Sequence, residues 1–182
     1  VPGTGPRVLT DPDGNRVQVL AEDIREPGRA RRRSDARSPV VRGVGATVLD
    51  LGRSRSFFGG TLGLREARPD IGLDGDPEGA ADRVAYWADD VLVELVERPD
   101  AADWRDGRCL SDIGILNIAF ATGSGRSHRD LCRRIAFAGY RLTGRPLRLG
   151  LGSVVYATDD QGFSVELVHL TGFAAQRLGY LA

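Results

Sequence analysis

Gly162-Phe163-Ser164-Val165-Glu166-Leu167-Val168 is the stretch whose reading decides the fold. Side chains alternate across a strand, so Ser164, Glu166 and Val168 share one face, while Phe163, Val165 and Leu167 share the other and suit packing against a helix. Glu166 is then turned toward something polar. An ionised carboxylate buried without a partner costs several kcal/mol, comparable with a domain's whole margin of stability. A metal, a substrate, an arginine or solvent in an open cavity must therefore answer it.

Working back from this strand, Arg141–Arg148 and Ser153–Thr158 read as two more strands, and Ile115–Thr122 as another before them. Between Thr122 and Arg141, Ser127 with Asp130 three residues on resembles a capping box. Leu131, Cys132, Ile135, Ala136 and Ala138 supply an apolar helix face, and Gly139 ends it. The same order stands earlier in the chain. Val40–Leu51 reads as a strand with Asp50 as a helix N-cap, and Phe57, Phe58 and Leu62 form the packing side of a short helix that Gly63 stops. Residues 69–82, rich in Pro, Gly and Asp, read as a loop, and Arg83–Ala88 and Val91–Val96 as strands joined at Asp89-Asp90. The unit is βαβββ and it occurs twice.

The spacing supports a repeat: Gly43 to Glu94 spans 51 positions and Asn117 to Glu166 spans 49. A hairpin near the start, Val8–Thr10 and Val17–Leu20 around Asp11-Pro12-Asp13-Gly14-Asn15, matches the last one. Thr10-Asp11, Gly14 and Gln18 fall on Thr158-Asp159, Gly162 and Glu166 at a constant offset of 148. The expected organisation is a terminal hairpin of an incomplete module (1–20), an Arg-rich linker (21–39), a module (40–98), a connection (99–112), a second module (113–172) and a tail (173–182). Two strands alone do not hold together in water, so the hairpin should complete a sheet outside the two whole modules.

Apolar residues make up 41% and charged residues 27%, a globular profile, and no apolar run reaches the ~20 residues that cross a bilayer. The chain lacks a basic start followed by an apolar signal core, and a cytoplasmic location is expected. It contains no Met and opens at Val1, so further residues are expected upstream. All basic residues are Arg, which excludes Schiff-base chemistry and a lysine-anchored cofactor. Cys109 and Cys132 are too few for a disulfide framework and are not spaced as a zinc pair. Arg25 to Arg42 forms a basic cluster and Glu66 to Asp106 an acidic stretch. Without aromatic interleaving or a recognition motif they read as solvated segments, and neither nucleic acid nor membrane is an expected partner.

The run Val48-Leu49-Asp50-Leu51, Arg53-Ser54 and Phe57-Phe58-Gly59-Gly60-Thr61-Leu62-Gly63-Leu64 resembles the opening of a module in the vicinal oxygen chelate superfamily. That superfamily includes glyoxalase I, bleomycin-resistance proteins, methylmalonyl-CoA epimerase and extradiol dioxygenases. Asp11–Asn15 resembles its hairpin before the final strand, and the resemblance covers residues 7–20 and about 40–170. It implies an α+β fold in which tandem βαβββ modules form a curved mixed sheet around a ligand cavity, with helices on the outer face. It also implies metal-ligand positions on the first and last strand of each module, here Gly43 and Glu94, then Asn117 and Glu166. Gly43 has no side chain and a neutral Asn117 carbonyl is a weak donor, whereas a catalytic metal site needs about three protein ligands. The expected cofactor is therefore none, or a weakly held divalent metal on Glu94 and Glu166. Iron-dependent ring cleavage needs two His and a carboxylate, and His128 and His169 lie off those positions, reading as surface or second-layer residues.

The resulting expectation is a glyoxalase-like enzyme with a degenerate metal site. Glu94 and Glu166 would be its catalytic acid/base pair, performing isomerisation, cyclisation or elimination on an oxygenated organic substrate. Thr47, Asn117, Ser164 and Tyr156 are its expected substrate contacts, and Gly45, Ala119 and Ala121 leave room for a ligand. Alternatives are an antibiotic- or metabolite-binding protein without turnover, similar to the bleomycin-resistance members, and a divalent-metal-dependent lyase or isomerase. Modules that serve only dimerisation are a further one. The expected partner is a small organic molecule, with a second copy of the chain, as a homodimer, besides.

Overall fold

Parallel strands need a crossover long enough to return the chain to the same edge, and here a helix supplies it twice. The computed structural model describes residues 7–10, 12, 16–19, 24, 41–68, 82–98, 117–144, 147–149 and 152–177. It divides into two units, Val1–Ala101 and Ala102–Ala182. The expected linker (apart from Ile24), the 69–82 loop (apart from Asp82), the 99–112 connection and most of the first hairpin's turn lie outside the described residues.

In the first unit, β1 (Arg7–Thr10) and β2 (Arg16–Val19) pair antiparallel, with Leu9 opposite Val17. They form a two-stranded sheet of their own among the described residues. The module proper runs β3 (Gly43–Val48), α1 (Leu51–Arg55) continued by a π-helical turn at Ser56–Thr61, β4 (Arg65–Glu66), β5 (Arg83–Ala88) and β6 (Val91–Glu97). Its sheet order is β3-β6-β5-β4, with β3 parallel to β6 and the other pairs antiparallel. Asp50 caps α1 as expected, accepting the Arg53 N–H at 2.9 Å, and Glu97 Oε2 takes the Leu51 N–H at 2.7 Å. Phe57 and Phe58, both fully buried, pack against the sheet, and Phe58 stacks on Tyr86 at 6.1 Å between ring centroids. Burying each such ring contributes about 1.5–3 kcal/mol. Gly63 closes the turn with φ 75°, a conformation glycine adopts without strain.

The second unit repeats the plan: β7 (Asn117–Ala121), α2 (Gly125–Phe137), β8 (Arg141–Leu142), β9 (Leu147–Leu149), β10 (Gly152–Thr158), β11 (Ser164–Leu170) and a short α3 (Gly172–Arg177). Its order, β7-β11-β10-β8, is the first unit's order again, with β9 also pairing β10. Both sheets are mixed, open α+β sheets with the crossover helix on one face, the architecture expected from the sequence.

Three local readings need correction. The strand read at Arg141–Arg148 is two strands, with Gly144 at φ 74° between them. α2 starts earlier than read: Ser124, not Ser127, is its N-cap, and its Oγ accepts the Ser127 N–H at 3.0 Å. The face α2 buries is His128, Cys132 and Ile135, one helical stripe, while Ala136 and Ala138 are exposed.

Gly152 gives the sharpest packing test. A Cβ there would lie 2.4 Å from the His169 carbonyl oxygen, a backbone atom of the paired strand. Gly152→Ala is expected to lower stability by about 1–3 kcal/mol in a denaturant titration. Gly60→Ala, where a Cβ meets nothing within 4 Å, is expected to leave stability nearly unchanged.

Candidate functional site

Strand register settles which residues share a face. In the first unit Gly45 stands opposite Glu94, and Glu94 opposite Ala85; the adjacent rows are Gly43–Leu92–Trp87 and Thr47–Val96–Arg83. In the second, Ala119 stands opposite Glu166, and Glu166 opposite Tyr156, with Asn117–Ser164–Thr158 as the neighbouring row. In both units these rows lie on the face away from the crossover helix, whose own side holds Val93, Leu95 and Tyr86 in one unit and Val165, Leu167 and Val155 in the other. Glu94 and Glu166 thus occupy matching places, each opposite a small residue on the parallel neighbour.

Their surroundings differ. Glu94 is only 5% exposed, and Arg83 Nη1 lies 3.6 Å from its Oε1. Beside it Ala67, Ala85, Trp87 and Leu92 form a buried cluster, against which Ile24 packs. The Trp87 end of this face is therefore filled, by Trp87 itself and by Ile24. Gly45 and Thr47 remain exposed at the other end. Arg83 was legible in the sequence, because its strand parity matches that of Glu94 across a two-residue turn; Ile24, in a segment without periodicity, carried no signal.

Glu166 is half-buried, as are Asn117, Ser164 and Tyr156 around it. Burial pushes the Tyr156 phenol above its ordinary range, and the negative charge of the Glu166 carboxylate on the paired strand pushes it further. This face offers an acid, a phenol, an amide and a hydroxyl over a floor of alanines. That set can abstract a proton, return it, and hold an oxygen on the substrate.

The hairpin leading into β11 fixes the strand. Asp159 Oδ1 accepts the N–H groups of Gln161 at 2.9 Å and Phe163 at 2.7 Å, and Gly162 takes φ 87°. An aspartate whose side chain caps its own turn explains the Thr-Asp…Gly pattern that recurs in the first hairpin. Asp159 is 6% exposed and its Oδ2 has no partner among the described residues. Burial raises its pKa to about 6, against the opposing pull of the backbone N–H groups.

Each unit can be described by the donors it holds at the positions that the resemblance assigns to ligands. The first unit supplies Glu94 alone, already beside Arg83, and the second a carboxylate and a neutral amide. Among the described residues no group of three or more His, Cys, Asp or Glu side chains is arranged to hold a metal. His128 and His169 lie on the helix side, away from Glu166.

No family model and no curated protein matches the sequence. Solved structures do match the fold. A glyoxalase/dioxygenase from Nostoc punctiforme is 18% identical, covering 80% of this chain and 99% of its own, with a TM-score of 0.58. The fosfomycin resistance protein FosX from Listeria monocytogenes is 17% identical over 74% of this chain and 92% of its own, at 0.53. A lactoylglutathione lyase from Agrobacterium tumefaciens is 16% identical over 72% and 94%, at 0.51. The fold is the one these glyoxalase-type structures share, as the sequence motifs implied. Among the described residues no helix is long and apolar enough to cross a membrane.

Asp159 makes a pH signature. Its folded-state pKa, about 6, exceeds the ordinary 3.8, so its contribution to stability is complete below pH 3.8 and is lost as pH rises through 6. The difference of about two pH units corresponds to roughly 3 kcal/mol at most. Denaturant midpoints measured from pH 4 to 7.5 should therefore fall for the wild type relative to Asp159→Asn. The difference between the two proteins isolates this group from every other, His128 included. Parallel curves would show that Asp159 is ionised throughout.

Proposed function

We propose that the chain is a glyoxalase-like enzyme acting on a small oxygenated organic molecule, with Glu166 as its acid/base. The observation that carries this reading is the cross-strand pair of Glu166 and Tyr156 on the face away from the crossover helix. Glu94, its counterpart, is buried beside Arg83 and is assigned to fixing the first unit's sheet and the electrostatics of that face.

The chemistry suited to this set is proton transfer next to a carbonyl. The Glu166 carboxylate takes a proton from the carbon, and the electron pair moves onto the carbonyl oxygen as an enolate. Tyr156 or Asn117 donates a hydrogen bond to that oxygen, and the proton returns at the same or a neighbouring atom, giving epimerisation or isomerisation. Loss of a leaving group from the enolate gives elimination instead. Ser164 and Thr47 are the remaining assigned substrate contacts. A cytoplasmic place and a homodimer belong to the same proposal.

A second reading is retention of a metabolite or antibiotic without turnover. The half-buried polar face around Glu166 would serve it equally well, and the fosfomycin resistance protein FosX from Listeria monocytogenes shares the fold.

Screening α-hydroxy, α-keto and epoxide-bearing compounds for turnover tests the proposal. Glu166→Gln is expected to lower kcat by on the order of 10²-fold or more, Tyr156→Phe by less, and both to leave the fold intact because both positions are half-buried. Stoichiometric binding of unchanged ligand, with affinity indifferent to Glu166→Gln, would establish the binding reading. Protein purified without chelator is expected to carry well under one equivalent of divalent metal. A stoichiometric metal that Glu166→Ala removes would overturn the metal-free assignment.

A further inference from the structure

The seam between α2 and the second sheet holds two imidazoles that the Glu166 site does not use. His128, in the first turns of α2, is 2% exposed, and neither of its ring nitrogens has a partner among the described residues. Its ring lies 6.2 Å, centroid to centroid, from that of His169 on β11, whose Nδ1 is buried without a partner as well. One helical turn on, Cys132 is 9% exposed, and beyond it Ile135 is fully buried, so His128 belongs to the stripe that docks the helix.

A neutral imidazole fits such a seam, whereas an imidazolium needs an acid or water beside it. The surroundings supply no acid among the described residues. α2 packs against β11 and β8. On β11 the helix side carries Val165, Leu167 and His169, and by register the helix-side positions of β7, β8 and β10 hold apolar residues and Ser153. The one charged residue placed on that side by register is Arg148 of β9, on the row of Ser153 and His169. On the helix itself Arg129 follows His128, and the one acid of the helix, Asp130, is exposed and engaged by Arg126 at 3.8 Å and Arg133 at 3.3 Å. α3, which also packs on β11, has no titratable side chain among its described residues. Burial first, then His169 and Arg129, hold the His128 imidazole below its ordinary range. Every charge on this seam, among the described residues, is therefore positive or becomes so in acid.

We infer that the His128–His169 pair is an acid-sensitive latch: a proton taken up by either ring is accommodated by the first turns of α2 leaving the sheet, where water solvates the ring. Ile135, two turns beyond His128, keeps the rest of the helix docked. Because the folded protein holds His128 below 6.5, the opened form binds the proton more tightly, so the latch is closed above pH 6.5 and loosens as pH falls below it. This is opposite in sense to Asp159, whose contribution is lost as pH rises. β11 carries Glu166 on its other face, so the latch acts on the strand that places that side chain, whatever chemistry the side chain performs.

Amide hydrogen exchange of the intact protein, read by mass spectrometry and normalised to the intrinsic rate at each pH, tests this. Protection of the α2 amides is expected to be flat from about pH 8.5 to 7.5 and to fall by about fivefold or more from about pH 6.5 to 5.5, one proton being taken up on opening. β5 and β6 of the first unit are expected to keep theirs. His128→Leu, which places an apolar residue in an apolar seam, is expected to abolish the fall in α2. Where that variant is not recovered folded, the comparison of α2 with β5 and β6 in the wild type decides alone. Unchanged protection of α2 across this range, a loss shared equally by β5 and β6, or a loss retained in full by His128→Leu would overturn the inference.

Discussion

The candidate site depends on one constraint, the parallel pairing of the first and last strand of each module, β3 with β6 and β7 with β11. A parallel pair cannot be joined by a tight turn, so the chain must cross over, and the helix that carries it covers one face of the sheet. The other face is the one that the crossover helix leaves uncovered in both units. Because side chains alternate, a single register then places Glu94 and Glu166 on that face and the apolar residues beside them on the helix face. A slip of one residue in β11 would send Glu166 into the seam against α2 and expose Val165 and Leu167. The two fully buried aliphatic residues therefore hold the acid in place more firmly than any contact the acid makes itself.

Given the same frame twice, the identity of one neighbour separates the two carboxylates. Across from Glu94 stands Ala85, and across from Glu166 stands Tyr156. Alanine lets the Trp87 cluster and Ile24 close over the first unit's sheet, so Glu94 loses solvent and takes Arg83 as its neighbour. Removing one partner from such a pair strands a buried charge, which is why its loss destabilises far more than a surface ion pair would. Tyrosine, opposite the carboxylate, keeps the second unit's face polar, with both residues half-buried. The two acids at matching places thus stand in unlike surroundings, Glu94 buried beside Arg83 and Glu166 half-buried opposite Tyr156.

Much of this was legible in the sequence because it follows from period and punctuation. The strand parity of Glu94 and Glu166, the Asp50 cap, and the turns at Gly63, Gly139 and Gly162 are local consequences of residue type. What escaped was either too short or of the wrong polarity. β4 has two residues, too few for any alternation to register. The N-cap of α2 was displaced because Ser124 and Ser127 are equally good capping residues three positions apart, and only the path of the chain chooses between them. Ile24 lies in a segment with no pattern, so its contact with the first sheet is purely tertiary.

His128 is the most informative miss. The apolar stripe of α2 was assembled from hydrophobic residues alone, which admitted Ala136 and Ala138 and passed over an imidazole at a buried position of the 128, 132, 135 stripe. On packing grounds a leucine would suit that seam better, because each buried nitrogen left unpartnered costs about 1–3 kcal/mol. The helix-to-sheet seam elsewhere in this unit is apolar, with Ile135, Val155, Val165 and Leu167 all at 2% exposure or less. Among the described residues, the one aromatic neighbour of that ring across the seam is His169, at 6.2 Å between ring centroids.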